Sequence, residues 1–360
     1  MSQQNAQAPH SRLTVAGTVM FYLVAALTMV IANKWVLSST SAPLFFLFAQ
    51  LVIAVLLFLL THLVGLFTLP FTINATVIRG MAPLVIVNVL GLSFNNYTLK
   101  YVDASFYQIA RGLVLPTTVL LSYLFLKSRP SLRVLLSCAL VTLGFFIGVF
   151  LDNYNTAPVA KDPMSASSDT AWWANSIGII FGLLSSVTTA SSAVIIKQSL
   201  DVVGGSTFAL AWYNNLFSSI VIFPLIFLVG EGPAVYQLLF EDEEGWSTFL
   251  YGTLITGLFG FLICLAGFLS IKVTSPITHM VSSAVRGVVV TLLGIWFFSE
   301  VITSGRAASI STILLGSVYY TYVKNSEQQQ NHRETEKYER VPLDEVEAGR
   351  ATSPSPKRAD

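Results

Sequence analysis

Among the cationic and amide side chains that stand inside long apolar stretches of this sequence are Lys34, Asn95, Asn96, Arg111, Asn214, Asn215 and Arg286. No carboxylate lies at comparable depth, since Asp103 and Glu300 fall at the ends of apolar runs. Cations and amides without acids are poorly equipped for proton abstraction or metal binding. They suit the holding of an anion and the reading of a donor and acceptor edge. Arg286 poses the question most sharply. It lies in "ITHMVSSAVRGVVVTLLGIWFF", residues 277–298. It stands about 11 residues into its apolar run, or roughly 16 Å along a helix, near the middle of a bilayer core. Snorkelling does not reach water from there, and an unheld guanidinium would cost from about 3 to more than 10 kcal/mol. With no acidic partner in the sequence at that depth, an anionic ligand is the expected counter-charge.

The other groups read in two ways. Lys34 and Lys100 sit close enough to the ends of their runs either to snorkel or to meet a substrate. Arg111, about two turns inside its run, can hold a substrate, cap a helix C-terminus or pair with Asp103. Asn95 and Asn96 serve as glue between helices, form a helix end or contact a ligand directly. His279, one turn into its helix, is either a hydrogen-bonded packing residue or a proton shuttle. In "AWYNNLFSS" (211–219), the adjacent Asn214 and Asn215 point about 100° apart, so one neighbour cannot cover both. Either they tie helices together, or one faces a cavity where an amide can meet the edge of a base. Tyr213 offers a stacking face and a hydroxyl beside them.

The elements that must position these groups are membrane spans. Of the 360 residues, 54% are hydrophobic and only 11% charged, where soluble domains carry roughly 25% charged residues. Ten apolar stretches are long enough to cross: 13–36, 43–65, 77–99, 103–125, 131–151, 172–197, 207–229, 246–270, 275–298 and 302–323. The organisation expected is a cytosolic segment 1–12, a ten-helix unit 13–323 and a disordered cytosolic tail 324–360, rich in Gln, Glu, Ser and Pro. No cleavable signal is evident, so the first span should direct insertion. Lys127, Arg129 and Arg133 lie between the fourth and fifth spans, and Lys197 and Lys272 flank the next turns on that side. The opposite loops carry Asp152, Asp162, Asp169, Glu231 and Glu241 to Glu244. Because Lys and Arg favour the cytosol, both termini should face it.

The halves 13–151 and 172–323 resemble each other: Arg111-Gly112 and Arg286-Gly287 each precede an apolar run and follow a lysine-bearing turn. Five spans per copy would make the second copy inverted, a plan of secondary transporters. The sequence has no paired intramembrane aspartates, His-Glu-x-x-His element, nucleophile elbow or P-loop. That argues against an enzyme, a metal site, a cofactor or ATP-driven transport. Cys138 and Cys264 both lie in apolar runs and read as packing residues. The shortage of intramembrane acids favours exchange of anions over proton coupling.

"WYNN" (212–215) and "SSAVR" (282–286) together resemble two motifs of the nucleotide-sugar transporters of solute carrier family 35, in the drug/metabolite transporter superfamily. The likeness covers roughly residues 15–323. Within that family the sequence is most similar to the GDP-fucose transporters. This rests on "FNNYTLKYVDASFYQIARGL" (94–113), "GLFGF" (257–261), "IKVTSPITHMVS" (271–282) and "FFSE" (297–300). The element Thr278-His279-Met280-Val281-Ser282 is typical of the fucose branch. The departures are Arg286 for the family's lysine, and Ser283 and Val285 for glycine and alanine. The resemblance implies base contacts from Tyr213, Asn214 and Asn215, and a nucleotide-sugar site lined by Ser282, Ser283 and Arg286. With Thr278, His279, Lys34, Asn96 and Arg111 these form the candidate substrate-binding set. It implies an all-α antiporter, a multi-pass protein of the Golgi or endoplasmic-reticulum membrane, carrying GDP-fucose inward for GMP by alternating access. The alternatives are a GDP-mannose or other phosphorylated-metabolite exchanger of the same fold, or a non-transporting membrane scaffold. Expected partners are the two exchanged nucleotides and lipid, without nucleic acid; self-association is open.

Overall fold

The computed structural model describes residues 12–127, 129–155, 168–273, 276–300 and 302–339, and within them the chain is helix and short turn, with no strand. The order is α1 (Arg12–Ser39), α2 (Pro43–Leu63), α3 (Ala75–Tyr101), α4 (Ala104–Gly112), α5 (Val114–Leu126) and α6 (Leu132–Asn155), then α7 (Ser168–Val202), α8 (Thr207–Leu228), α9 (Gly232–Phe240), α10 (Glu243–Val273), α11 (Pro276–Phe298) and α12 (Ser304–Glu339). Helix is the only way such apolar runs satisfy their backbone groups internally, apart from a closed barrel. Eight stretches among the described residues are long and apolar enough to cross a membrane. Their outer faces leave Phe125, Leu132 and Leu228 exposed, and on the shorter apolar helix 287–298 Trp296 is 75% open. Lipid is the solvent that tolerates such a surface.

Helix pairs along the bundle are reciprocal. α3 lies along α7, as α1 lies along α10; α6 pairs with α12, and α2 with α8. The α6–α12 pair is close because small residues face it: a Cβ on Gly316 would lie 2.7 Å from Val141 Cγ2, and one on Gly144 would lie 3.0 Å from the Ile313 backbone nitrogen. One apolar core gathers Phe58, Trp212, Ile222 and Phe261 between α2, α8 and α10. A second joins Val36, Phe46, Phe106, Tyr107, Val141 and Phe249. Cys138 is a buried free thiol against Val134 and Val323, as packing predicts; the side chain of Cys264 is outside the described residues.

Three features differ from the ten simple spans of the sequence reading. The stretch 103–125 is broken at Leu113 into α4 and α5. Pro116 supplies the reason: it has no N–H for the Gly112 carbonyl four residues back, and its ring crowds that carbonyl. The acidic segment after α8 contains the short helix α9, opened by Pro233. α12 continues past residue 323 to Glu339; residues 340–360 lie outside the described residues.

Candidate functional site

The break in the fourth stretch sits beside a cavity of ≈ 260 Å³ lined by α4, α5, α11 and α12. Its polar lining comes from Gln108, Arg111, Thr118, Ser317, Tyr320 and Thr321, on walls of Ile109, Leu115, Ile310 and Ile313. Arg111 is in the last turn of α4, where a cation complements the carbonyl end of the helix. Tyr107, one turn earlier, lies on the same helical face. Its hydroxyl accepts a 2.9 Å hydrogen bond from Arg111 Nη1, and the guanidinium carbon stands 5.7 Å from the Tyr107 ring centre. The ring steadies the guanidinium without neutralising it. Among the described residues no carboxylate pairs with Arg111: Asp103, an expected alternative partner, is bound by Arg306 at 2.7 Å. A cation in an apolar cavity, short of a counter-ion, is set up to take an anion.

The glycine of the second Arg-Gly pair reaches the same cavity. Gly112 on α4 and Gly287 on α11 both line it. A Cβ at 287 would come within 2.9 Å of Gln108 Nε2, and one at 112 within 2.9 Å of Ile313 Cγ2. Both glycines therefore allow close approach just after an arginine. Thr278, His279, Ser282, Ser283 and Arg286 belong to α11, but their side chains lie outside the described residues.

The other candidates are placed elsewhere. Lys34 on α1 is buried, and its Nζ donates to the carbonyls of Leu99, at 2.8 Å, and Val102, at 2.6 Å. It thus satisfies the C-terminal end of α3 and completes the chain turn into α4. Lys100 donates to the Ser41 carbonyl at 3.0 Å. Asn96 is buried and donates to the Pro43 carbonyl at 3.3 Å, while Ser185 of α7 donates to Asn95 Oδ1 at 3.1 Å. All four are ties between elements, which for Asn95 and Asn96 is the glue alternative of the sequence reading.

"WYNN" divides by helical face. Trp212 and Tyr213 are buried; Trp212 Nε1 donates to the Pro70 carbonyl at 3.1 Å, and the Tyr213 hydroxyl to that of Thr72 at 2.8 Å. They pin the connection between α2 and α3. Asn215 Nδ2 turns back onto the Ala211 carbonyl at 2.8 Å. Asn214 Oδ1 is buried with no partner among the described residues, an acceptor that a ligand donor would satisfy. None of the four lines the α4/α11 cavity. The structure therefore brings Arg111 and the backbone after Arg286 together, and keeps Asn214 in a separate wall on α8.

Sequence reasoning passed over Tyr107, Gln108, Tyr320 and Thr321. The signal for Tyr107 was present in its four-residue spacing from Arg111; those on α12 required its packing against α4.

Residues 13–152 and 165–321 match the Triose-phosphate Transporter family. GDP-fucose transporter 1 of Dictyostelium discoideum is 33% identical over 86% of this chain and 80% of its own. The Golgi GDP-fucose transporter of Drosophila melanogaster is 30% identical over 90% of this chain and 96% of its own. A crystal structure of a protein only 15% identical has a similar fold, with a TM-score of 0.50, over 87% of this chain and 98% of its own.

Proposed function

The chain belongs to the triose-phosphate transporter family, and from that premise we propose that it is an antiporter carrying GDP-fucose into the Golgi lumen in exchange for GMP. Within the family it is a nucleotide-sugar transporter of the GDP-fucose kind. The exchange partner and the direction are our reading. The observation that carries it is the cavity at the α4/α11 meeting, where Arg111 has no described carboxylate partner and the Arg286-Gly287 backbone arrives from the other half. A sugar-linked diphosphate supplies the missing negative charge. Arg111 and Arg286 take the phosphates, Thr118, Ser317 and Tyr320 offer hydroxyls to phosphate or sugar, and Ser282, Ser283, Thr278 and His279 complete the α11 wall. The acceptor Asn214 Oδ1 faces no donor among the described residues, and the N–H groups on the Watson–Crick edge of guanine are donors of that kind. Asn215 and Tyr213 frame that end.

The mechanism we assign is alternating access in two inverted five-helix repeats of ten spans, with α4 and α5 together forming the fourth. Reciprocal pairing supports it: exchanging the repeats turns α3 on α7 into α10 on α1, and returns α6 on α12 and α2 on α8 to themselves. Gly112 and Gly287 meeting in one cavity fit the same operation. Both termini are assigned to the cytosol, which puts the starts of α2 and α4 on the lumenal side.

The test is competition. Uptake of labelled GDP-fucose into proteoliposomes should be suppressed by unlabelled GMP, GDP and GDP-fucose. UDP-sugars and triose phosphates should have little effect. Equal suppression by UDP-sugars would remove the guanine assignment, and strong suppression by triose phosphate would favour a phosphorylated-metabolite exchanger.

A further inference from the structure

Two buried glutamates perform the same task at the same end of the bundle. Glu231 follows α8, and its carboxylate accepts hydrogen bonds from the amides of Leu44, at 3.0 Å, and Phe45, at 3.1 Å. These are in the first turn of α2. The Tyr97 hydroxyl also donates to it, at 2.8 Å. Glu300 follows α11, and its carboxylate accepts from the amides of Ala104, at 2.7 Å, and Ser105, at 3.1 Å. These open α4. Each carboxylate thus comes from the second half of the chain and caps a helix of the first half, which lacks a side-chain cap of its own. Gly294 leaves room for it: a Cβ there would stand 2.8 Å from Glu300 Oε2. Arg306 of α12 adds a third cross-half bond to Asp103.

We infer that Glu231 and Glu300 are positioning residues that clasp α2 and α4 to the second half, closing this end of the transport path. Four observations carry it. Both clasps join the halves that alternating access must separate. The two lie at one end, because Tyr97, late in α3, reaches Glu231 while α4 starts just beyond α3. The cavity extends away from them, from Gln108 to Thr118 along α4 and α5 and from Ile310 to Thr321 along α12. Finally, the helical ladder is interrupted at Leu113 between α4 and α5, which gives α4 a place to bend when its cap lets go. The chemistry suits a reversible contact. The amides at a helix start and a carboxylate bind strongly, yet at a span end water replaces both partners once the clasp opens. At mid-depth nothing would.

The inference rests on the alternating-access reading but is tested without transport. A reporter cysteine replaces Ile310 in a Cys138→Ser, Cys264→Ser background, in vesicles of known orientation. The rate of labelling by a membrane-impermeant maleimide is then measured from each side. Glu300→Ala and Glu231→Ala should raise labelling from the clasp side about tenfold, the shift that a 1.4 kcal/mol change in the open population produces. Glu300→Gln, which keeps an acceptor oxygen, should raise it less, and labelling from the other side should not rise. Should the alanine variants fail to fold, Glu231→Gln and Glu300→Gln carry the test. An unchanged clasp-side rate in folded variants, or an equal rise from both sides, overturns the clasp. Failure of the wild type to exchange nucleotides would instead overturn the proposed function and leave the labelling result standing.

Discussion

At the residue scale, two arginines, Arg111 and Arg286, are proposed to hold the substrate phosphates. Arg111 is steadied by Tyr107 rather than neutralised, so its removal should act on substrate and not on folding. We predict that Arg111→Ala lowers GDP-fucose exchange at least about 100-fold, as loss of a desolvated charge pair costs about 3 kcal/mol or more. The melting temperature should change by only a few degrees, and proteoliposome uptake alongside thermal unfolding checks both. Arg286→Lys separates charge from shape: a point charge suffices if exchange survives, whereas loss equal to that of Arg286→Ala means a bidentate grip on phosphate. Asn214 gives the third residue-scale test. Its unpartnered Oδ1 should bind a base donor worth about 1 kcal/mol, so Asn214→Ala should raise the GMP concentration needed for half-competition roughly fivefold. Tyr213→Phe should instead lower stability, because its hydroxyl holds the Thr72 carbonyl.

The element scale shows what sequence could and could not deliver. Most apolar runs became helices near their expected bounds, because length and hydropathy suffice in a bilayer. The break at Leu113 was also written in the chain, since Pro116 and Gly112 are the residues that end helices, but apolarity across 103–125 masked it. Lys34 was legible as a cation near a span end, yet only tertiary structure shows it holding the α3 carbonyls. Glu231 and Glu300 were visible as loop acids, and their partners, far off in sequence, were not. Of the candidate site, Arg111 was legible as a cation about two turns inside its run, whereas the bond of the Tyr213 hydroxyl to the Thr72 carbonyl joins elements far apart in sequence and left no local signal. A prediction belongs to the break. Pro116→Ala restores an amide for the Gly112 carbonyl and should join α4 to α5. Exchange should slow several-fold without loss of thermal stability, given the roughly 3 kcal/mol by which a proline disfavours a continuous helix. A rate equal to wild type would show that the break is dispensable.

A second element-scale expectation concerns α6 and α12, tied beyond the membrane by Ser131 and Glu327. The Ser131 hydroxyl donates to the Glu327 carboxylate and holds its pKa below the usual range, with Lys324 and Arg133 assisting. A depressed carboxylate adds stability above its unfolded pKa, about 4.3, and that stability is lost as pH falls through the folded value. The melting temperature of the wild type should therefore fall more steeply than that of Ser131→Ala between about pH 5 and pH 3. Identical slopes would count against the tie.

At the scale of the whole molecule, the pieces describe a bundle whose halves pair reciprocally and meet at a cationic cavity. The proposed exchange fits the charge distribution. With no described carboxylate pairing Arg111, reorientation of an empty carrier would move an unpaired buried cation, whereas a bound nucleotide neutralises it. Obligatory counter-transport is the functional signature expected of that penalty. The most direct measurement compares uptake of labelled GDP-fucose into proteoliposomes loaded with GMP and into empty ones. The account predicts fast, saturable uptake with GMP inside and little without it. Equal uptake into both would contradict the exchange mechanism at its centre.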